Sequence, residues 1–365
     1  MACRMKTAIT KFRDSLRASR RLQLLYQVLR RVKWGGLAAL AFCRSLGFVV
    51  RRVVPLLVCR RARPVLFSRR LGAGDIICTF PAAAQLKKRH PRAAALYNCN
   101  PEFHKLPELA GIATVVSTDV AALKKFWPFL FGAIYEFEWG GDGKNYYVSD
   151  EFPIEVFCTQ HGLAPAREHP RLMVPAGLAK QAGRLLAGRL SPAGGPLLVF
   201  HTGPTWAIRE WPLANWKDLI GRLQAAGFQN IVQVGASRNA FLGDVPADLI
   251  PGVISLVDKL GLEETIGVIA QARLLIGIDS GLLHMAAWAR TPFVGIWGPT
   301  TPSLRFSERC RQLPVVSSVP CQGCHHRLPC QHWISGCQND IACMKEISVD
   351  RVYQACLRQL ETAAN

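Results

Sequence analysis

Acidic residues are nearly missing from one end of this 365-residue chain. Residues 1–63 hold 16 lysines and arginines against the single acid Asp14, so only about +5 of the formal +20 charge falls on the other 302 residues. A charge so confined argues against a nucleic-acid-binding surface spread over the whole molecule. The chain also lacks the unbroken run of ~20 apolar residues that a membrane-spanning helix needs. Its most apolar early stretch, Trp34 to Val58, is interrupted by Arg44, Arg51 and Arg52. The ordered n-region, h-region and small-residue cleavage site of a secretory signal is absent, so the segment is expected to stay in the mature protein. Thirty glycines and 23 prolines are scattered, which leaves no repeat, low-complexity tract or evident linker.

What remains in residues 1–63 is a basic amphipathic pattern. Ile9, Phe12, Leu16, Leu24, Leu25, Val28, Leu29 and Val32 recur at roughly helical spacing between arginines. A helix of this kind lies on an anionic membrane surface, where each clustered cation gains about 1 kcal/mol and the apolar residues add burial. A solvated basic tail and an RNA-binding arm are the alternatives.

The rest reads as alternating α/β. Pro64 to Ser68 is a short buried strand, followed by the glycine turn Arg69-Arg-Leu-Gly-Ala-Gly-Asp75 and a helical run to Arg89. Strands are expected again at Ala94–Tyr97 and Thr114–Ser117. A second series opens at Pro196–Gly203 and continues through strands at Asn230–Gly235, Leu274–Ile278 and Phe293–Trp297. Helices are expected at Leu213–Ala226, Leu262–Gln271, Gly281–Ala289 and Val349–Thr362. These strands are uniformly apolar, as parallel sheets covered on both faces require, and the polar residues follow strand ends, where such sheets bind ligands. Two doubly wound sheets imply a cleft between them, with the boundary near Pro165 to Pro175.

Four fragments carry chemistry. Asp279 and Ser280 stand at a strand end where a helix begins, and the free amides and positive dipole end of such a helix hold a diphosphate. Gly281 lets backbone approach, and His284 follows on the same helix. Thr205 and Arg209, in the loop after the Pro196 strand, supply a hydroxyl and a cation for phosphate. Asp75, at the cleft end of the first strand, is placed to deprotonate an acceptor hydroxyl. Each has a plain alternative: a capped helix with a packed histidine, a surface ion pair, and an N-cap aspartate. The dinucleotide fingerprint is incomplete, because Cys78 stands where its last glycine belongs.

Taken together, Gly-Ala-Gly-Asp75 with Thr79-Phe-Pro81, Arg209-Glu-Trp-Pro212, Asp279-Ser-Gly-Leu-Leu-His284 and Gly298-Pro-Thr-Thr-Pro302 resemble, in order and spacing, the heptosyltransferases of bacterial lipopolysaccharide synthesis, glycosyltransferase family 9. The likeness spans roughly residues 64 to 360. It implies a GT-B fold: two Rossmann-like, doubly wound parallel-sheet domains facing a cleft, with residues 64–170 binding the acceptor and 171–365 the nucleotide sugar. It further implies inverting transfer from ADP-heptose to a lipopolysaccharide-core or other lipid-linked glycan, with no cofactor required for catalysis. By motif, Asp75 takes the place of the base, and Thr205, Arg209, Asp279, Ser280, Gly281 and His284 that of the donor site. Arg209 stands where the family carries lysine, and Gly235–Ala240 lacks the acid many members have there. With residues 1–63 outside the likeness, the expected location is peripheral, on the cytoplasmic face of a bacterial inner membrane. Nucleic acid is not an expected partner.

Thirteen cysteines without a secretion signal point to reduced thiols. Five of them, Cys321, Cys324, Cys330, Cys337 and Cys343, fall in the loop 321–343 with His325, His326 and His332 nearby, and exceed the four thiolates of a structural zinc or iron site. Buried reduced thiols are the alternative. Tyr135, Glu136, Glu138, Trp139 and Asp142 form an aromatic and acidic stretch suited to stacking on a sugar, and an exposed loop would read the same way. Two other functions use the same frame: a nucleotide-sugar 2-epimerase, which needs additional carboxylates around the sugar, and a non-catalytic membrane-bound scaffold or RNA-binding protein.

Overall fold

The computed structural model describes residues 36–60, 62–116, 118–138, 151–239, 243–244, 247–327 and 336–362. It divides into two units, one comprising Met1–Pro64 with Thr118–Gly132 and the other Val65–Ser117 with Ala133–Asn365.

In the smaller unit residues 36–60 are helical (α1), with a π-helical stretch at Val49–Val53. Ser45 donates to its own helix at the Phe42 carbonyl and accepts from the Trp127 indole at 3.0 Å, while Phe42 stacks on Trp127. Val49 and Val53 are buried, and Leu37, Leu40, Leu46, Val50, Val54 and Val58 are exposed. No helix among the described residues is long and apolar enough to cross a membrane.

The larger unit holds two parallel sheets. Strands β1 (Val65–Ser68), β2 (Ala95–Asn98), β3 (Thr114–Val116) and β4 (Ala133–Glu136) form the first, in the order β3-β2-β1-β4. Helix α2 (Ala73–Lys88) leaves β1 and α3 (Pro153–Thr159) packs on it. After α4 (Ala176–Leu186), the second sheet is built from β5 (Leu198–His201), β6 (Ile231–Gln233), β7 (Ile254–Ser255), β8 (Leu274–Ile278), β9 (Phe293–Trp297) and β10 (Gln312–Val316). Its order is β10-β9-β8-β5-β6-β7. Every pair in both sheets is parallel. Helices α5 (Leu213–Ala225), α6 (Leu262–Gln271), α7 (Gly281–Ala289) and α8 (Val349–Thr362) cover the second sheet, and α8 packs on α5 and on β8, β9 and β10.

The all-apolar strands explain this layering. Residues 274–278 and 293–297 are buried without exception, so helices must seal both faces. Strand order reverses at β1 in the first sheet and between β5 and β8 in the second, and those switch points are where loops part to leave a crevice. Tyr135 and Glu136 belong to β4 and pair in register with Phe67 and Ser68, and the Tyr135 hydroxyl bonds His90, so this half of the aromatic and acidic stretch is sheet. Trp139 and Asp142 lie outside the described residues.

Candidate active site

Two bare backbones let α2 of the first sheet touch α7 of the second. A Cβ on Gly74, in the first turn of α2, would fall 2.6 Å from Cδ2 of His284 on α7. One on Gly281, the first residue of α7, would fall 3.0 Å from the Ala73 Cβ. Phe80 and Trp288, both buried, continue the seam with ring centroids 5.4 Å apart. Beside it opens a cavity of about 440 Å³, lined by residues 71–75 from one sheet and by Thr205, Arg209 and residues 279–282 from the other.

Asp75 sits on the cavity wall, 30% exposed. Gly72 is the N-cap of α2, so Asp75 does not cap; it lies in the first turn, where the helix dipole favours a negative charge. Arg69, only 4% exposed, leaves the end of β1 and reaches the Asp75 carboxylate at 3.0 Å with Nη2. Its Nη1 donates to the Phe137 carbonyl at 2.8 Å, and the guanidinium lies 5.0 Å from the centre of the Phe157 ring. The arginine is therefore fixed on three sides, and it fixes the carboxylate in turn.

Across the cavity Ser280 is the N-cap of α7, accepting from the Leu282 amide, and Asp279 turns to cations instead. Arg209 stands 3.4 Å and Arg305 3.9 Å from its carboxylate. Burial disfavours the ionised form, but the two guanidiniums outweigh it and hold the carboxyl below its ordinary range. Arg209 also lies 3.3 Å from both ring nitrogens of His325, and Arg305 lies 3.4 Å from its Nε2. Burial, then the two arginines, push His325 well down, so a neutral imidazole sits between the cations. Thr205 donates its amide to Glu210 at 3.0 Å, and burial raises that glutamate.

His284 lines the cavity, yet its Nδ1 is engaged 2.9 Å from Nε2 of His169, with the Cys78 sulfur 3.7 Å away. Burial lowers His284 to about 4 and His169 well below its usual value, so both rings are neutral. Phe306 packs on both.

Cys321, Cys324, Cys337 and Cys343 line a second, smaller cavity of about 70 Å³; Cys330 lies outside the described residues. Burial, followed by the three neighbouring thiols, raises Cys343 to about 12. The turn Cys324–His326 ties this loop to the first cavity, because His325 meets both arginines and His326 accepts from the Thr301 amide at 3.2 Å.

Every described site residue expected from the sequence thus lies on one of these two cavities. Sequence reading missed Arg69, His169 and Arg305, and took His325 only as a neighbour of the loop cysteines. Arg69 opens the glycine turn and Arg305 follows Pro302, so both border quoted motifs. Nothing near His169 or His325 in the chain announces that they converge on residues more than 100 positions away.

Residues 157–330 match the family model described as glycosyltransferase family 9 (heptosyltransferase). Lipopolysaccharide heptosyltransferase 1 of Pseudomonas aeruginosa is 32% identical over 132 residues, covering 36% of this chain and 37% of that protein. The chain thus spans little more than a third of the length of that curated relative. Among solved structures, E. coli ADP-heptose lipopolysaccharide heptosyltransferase II superposes with a TM-score of 0.60 at 15% identity, covering 83% of this chain and all of that one. The iron-containing dodecameric heptosyltransferase TibC, solved with ADP-D-β-D-heptose, gives 0.60 at 21% over 82% of this chain and 77% of its own. These likenesses show the fold: a GT-B arrangement of two Rossmann-like domains facing a cleft.

Proposed function

Residues 157–330 match glycosyltransferase family 9 (heptosyltransferase), and from that match we propose that the chain is a member of the family and an inverting glycosyltransferase. Its donor is a nucleotide-diphosphate sugar, ADP-heptose, and its acceptor a hydroxyl of a lipopolysaccharide core or another lipid-linked glycan. Residues 64–170 receive the acceptor and 171–365 the donor. The observation that carries this reading is the opposition of Asp75, on the first turn of α2, to Asp279 with Arg209 and Arg305 beside the N-terminus of α7, on one cavity.

In the reaction the Asp75 carboxylate takes the acceptor hydroxyl proton as that oxygen attacks the anomeric carbon from the face opposite the diphosphate. The bond from the anomeric carbon to the diphosphate oxygen breaks, and the leaving charge is met by Arg209, Arg305, Thr205 and the positive N-terminal end of α7. Asp279 orients the two arginines and accepts from sugar hydroxyls, with Ser280 and Gly281 beside it. His284, tied to His169, closes the floor under the sugar. No metal is required in this sequence of events.

The loop cysteines are the candidates for a structural iron or zinc ion: Cys321, Cys324, Cys337 and Cys343 line one small cavity and thiolate sets of four suit those metals, although no three of their sulfurs stand close enough together in this structure to share an ion. The protein works as a peripheral protein on the cytoplasmic face of a bacterial inner membrane. Supporting this, α1 leaves Leu37, Leu40, Leu46, Val50, Val54 and Val58 exposed, with Arg44, Arg51 and Arg52 exposed among them.

The test is calorimetric binding of ADP-heptose and other nucleotide sugars, with release of nucleoside diphosphate in the presence of lipid-linked acceptor. Binding weakened by Asp279→Ala, with release abolished by Asp75→Asn while binding persists, is the expected pattern. Absence of binding to every nucleotide sugar removes the proposal.

A further inference from the structure

Cys78, His169 and His284 come from three separate parts of the chain. Cys78 projects from α2 of the first sheet, His284 from α7 of the second, and His169 from the segment that joins them. All three are buried, and a single ligand atom from each lies within 4.8 Å of the others. The Cys78 sulfur is 3.7 Å from Nδ1 of His284 and 4.0 Å from Nε2 of His169, and those nitrogens are 2.9 Å apart. For zinc, bond lengths of about 2.3 Å to sulfur and about 2.0–2.1 Å to nitrogen at tetrahedral angles set donor separations of about 3.6 Å and about 3.3 Å. The three observed separations each lie within about 0.4 Å of those values.

We propose that Cys78 Sγ, His169 Nε2 and His284 Nδ1 form a binding site for a divalent cation of the zinc class, separate from the loop cysteines. One thiolate and two imidazoles suit Zn²⁺, with Co²⁺ as its spectroscopic stand-in, and exclude Mg²⁺ and Ca²⁺, which take oxygen. Cys78 gives its thiol proton to solvent on binding. Cys78 and His284 also line the 440 Å³ cavity, so the fourth position faces the cleft and takes water. The surroundings orient the ligands as metal sites require: Arg290 donates to the His169 carbonyl, Cys310 lies 3.9 Å from the outward Nδ1 of His169, and Phe306 packs on both rings.

The consequence lies in where the ligands come from. An ion held by α2, the joining segment and α7 staples the two sheets beside Gly74 and Gly281, and so sets how far the cleft opens. The site does not depend on the transfer reaction, since metal content and donor binding are separate readouts.

Full-length protein, stripped with chelator under reducing conditions, is loaded with zinc, desalted and assayed for bound metal; a second sample is titrated with Co²⁺. Wild type is expected to hold one equivalent more than Cys78→Ser or His169→Gln. A Cys321→Ser/Cys324→Ser variant is expected to keep one equivalent, with a thiolate-to-cobalt absorption band that adding Cys78→Ser abolishes. Equal zinc in wild type, Cys78→Ser and His169→Gln overturns the proposal, leaving a hydrogen-bonded histidine pair beside a thiol. So does a loop variant that is folded by circular dichroism and holds no metal. If that variant does not fold, the single-site comparison decides alone.

Discussion

Arg69 reaches Asp75 at 3.0 Å from a position only 4% exposed, while the carboxylate it meets is 30% exposed. The cation is thus part of the core and the anion part of the cavity. That asymmetry makes Arg69 a holder of Asp75: a carboxylate on the first turn of a helix has several rotamers, and a guanidinium fixed by the Phe137 carbonyl and the Phe157 ring selects one.

Replacing Arg69 by methionine keeps the bulk and removes the charge. Asp75, 30% exposed, can be solvated once the cation is gone, but the Phe137 carbonyl loses its donor, so a stability loss of about 1–3 kcal/mol is expected. Turnover should fall by about 10- to 100-fold, the size expected when a reacting group loses its alignment. ADP-heptose affinity should stay within a factor of about two, since Arg69 acts on Asp75, across the cavity from Asp279 and its arginines. Steady-state kinetics with calorimetry on the same preparation checks all three, and loss of donor affinity together with rate counts against a role confined to Asp75.

Asp279 is the buried anion between Arg209 and Arg305, so Asp279→Asn takes away a counter-charge that the two guanidiniums share. Breaking a buried ion pair by removing one partner costs roughly 3–5 kcal/mol, and a urea midpoint displaced by that amount is expected. ADP should recover part of the loss, because its diphosphate brings negative charge to the same guanidiniums. A variant as stable as wild type without ligand would mean that other groups satisfy the arginines.

How far this arrangement was legible depended on what kind of signal each part carries. The strands at 274–278 and 293–297 and the helix between them at 281–289 were readable because apolar runs end abruptly at Asp279-Ser280, Pro292 and Gly298, and the helices at 262–271 and 349–362 because apolar residues recur there at helical spacing among charged ones. Strand β10 was not, since Pro314 interrupts it, and β4 was not, since Tyr135 and Glu136 read as a polar surface. Asp75 and Asp279 were legible as carboxylates at strand ends. Their cations were not assigned: Arg305 reaches Asp279 from 26 residues on, and Arg69 reads as one of two arginines opening a turn. The His169–His284 contact joins residues 115 apart, a distance over which local pattern carries no information.

The buried histidines give the fold a pH dependence of definite sign. Burial lowers His201 to about 4, against the opposing pull of the Val234 carbonyl, whereas in the unfolded chain it titrates near 6.5. Between those values the unfolded state binds more protons, so stability is complete above pH 6.5 and is lost as pH falls toward 4. One histidine shifted by that much is worth about 3 kcal/mol. Urea unfolding at pH 7.5 and pH 5 should show the fall in wild type and a smaller one in His201→Gln. An equal fall in both would assign the effect to other groups, His169 and His284 first among them.

Gly74 and Gly281 separate two effects that oppose each other. Alanine favours a helix over glycine by up to about 1 kcal/mol, which by itself would stabilise either substitution. At Gly281 the new methyl meets the Ala73 Cβ at 3.0 Å, a contact that a few tenths of an ångström would relieve. At Gly74 it meets the His284 ring at 2.6 Å, and that ring is held by His169 and packed by Phe306, so it has nowhere to turn. Overpacking of this kind costs about 1–3 kcal/mol and outweighs the helix term. Gly281→Ala should therefore change the melting temperature by a few degrees at most, in either direction. Gly74→Ala should lower it clearly and force the first turns of α2 and α7 apart, which moves Asp75 away from the donor side and lowers turnover. A Gly74→Ala protein with wild-type melting and wild-type rate would show that the two helices are not in contact in solution, and that the cleft's working state is more open than the one described.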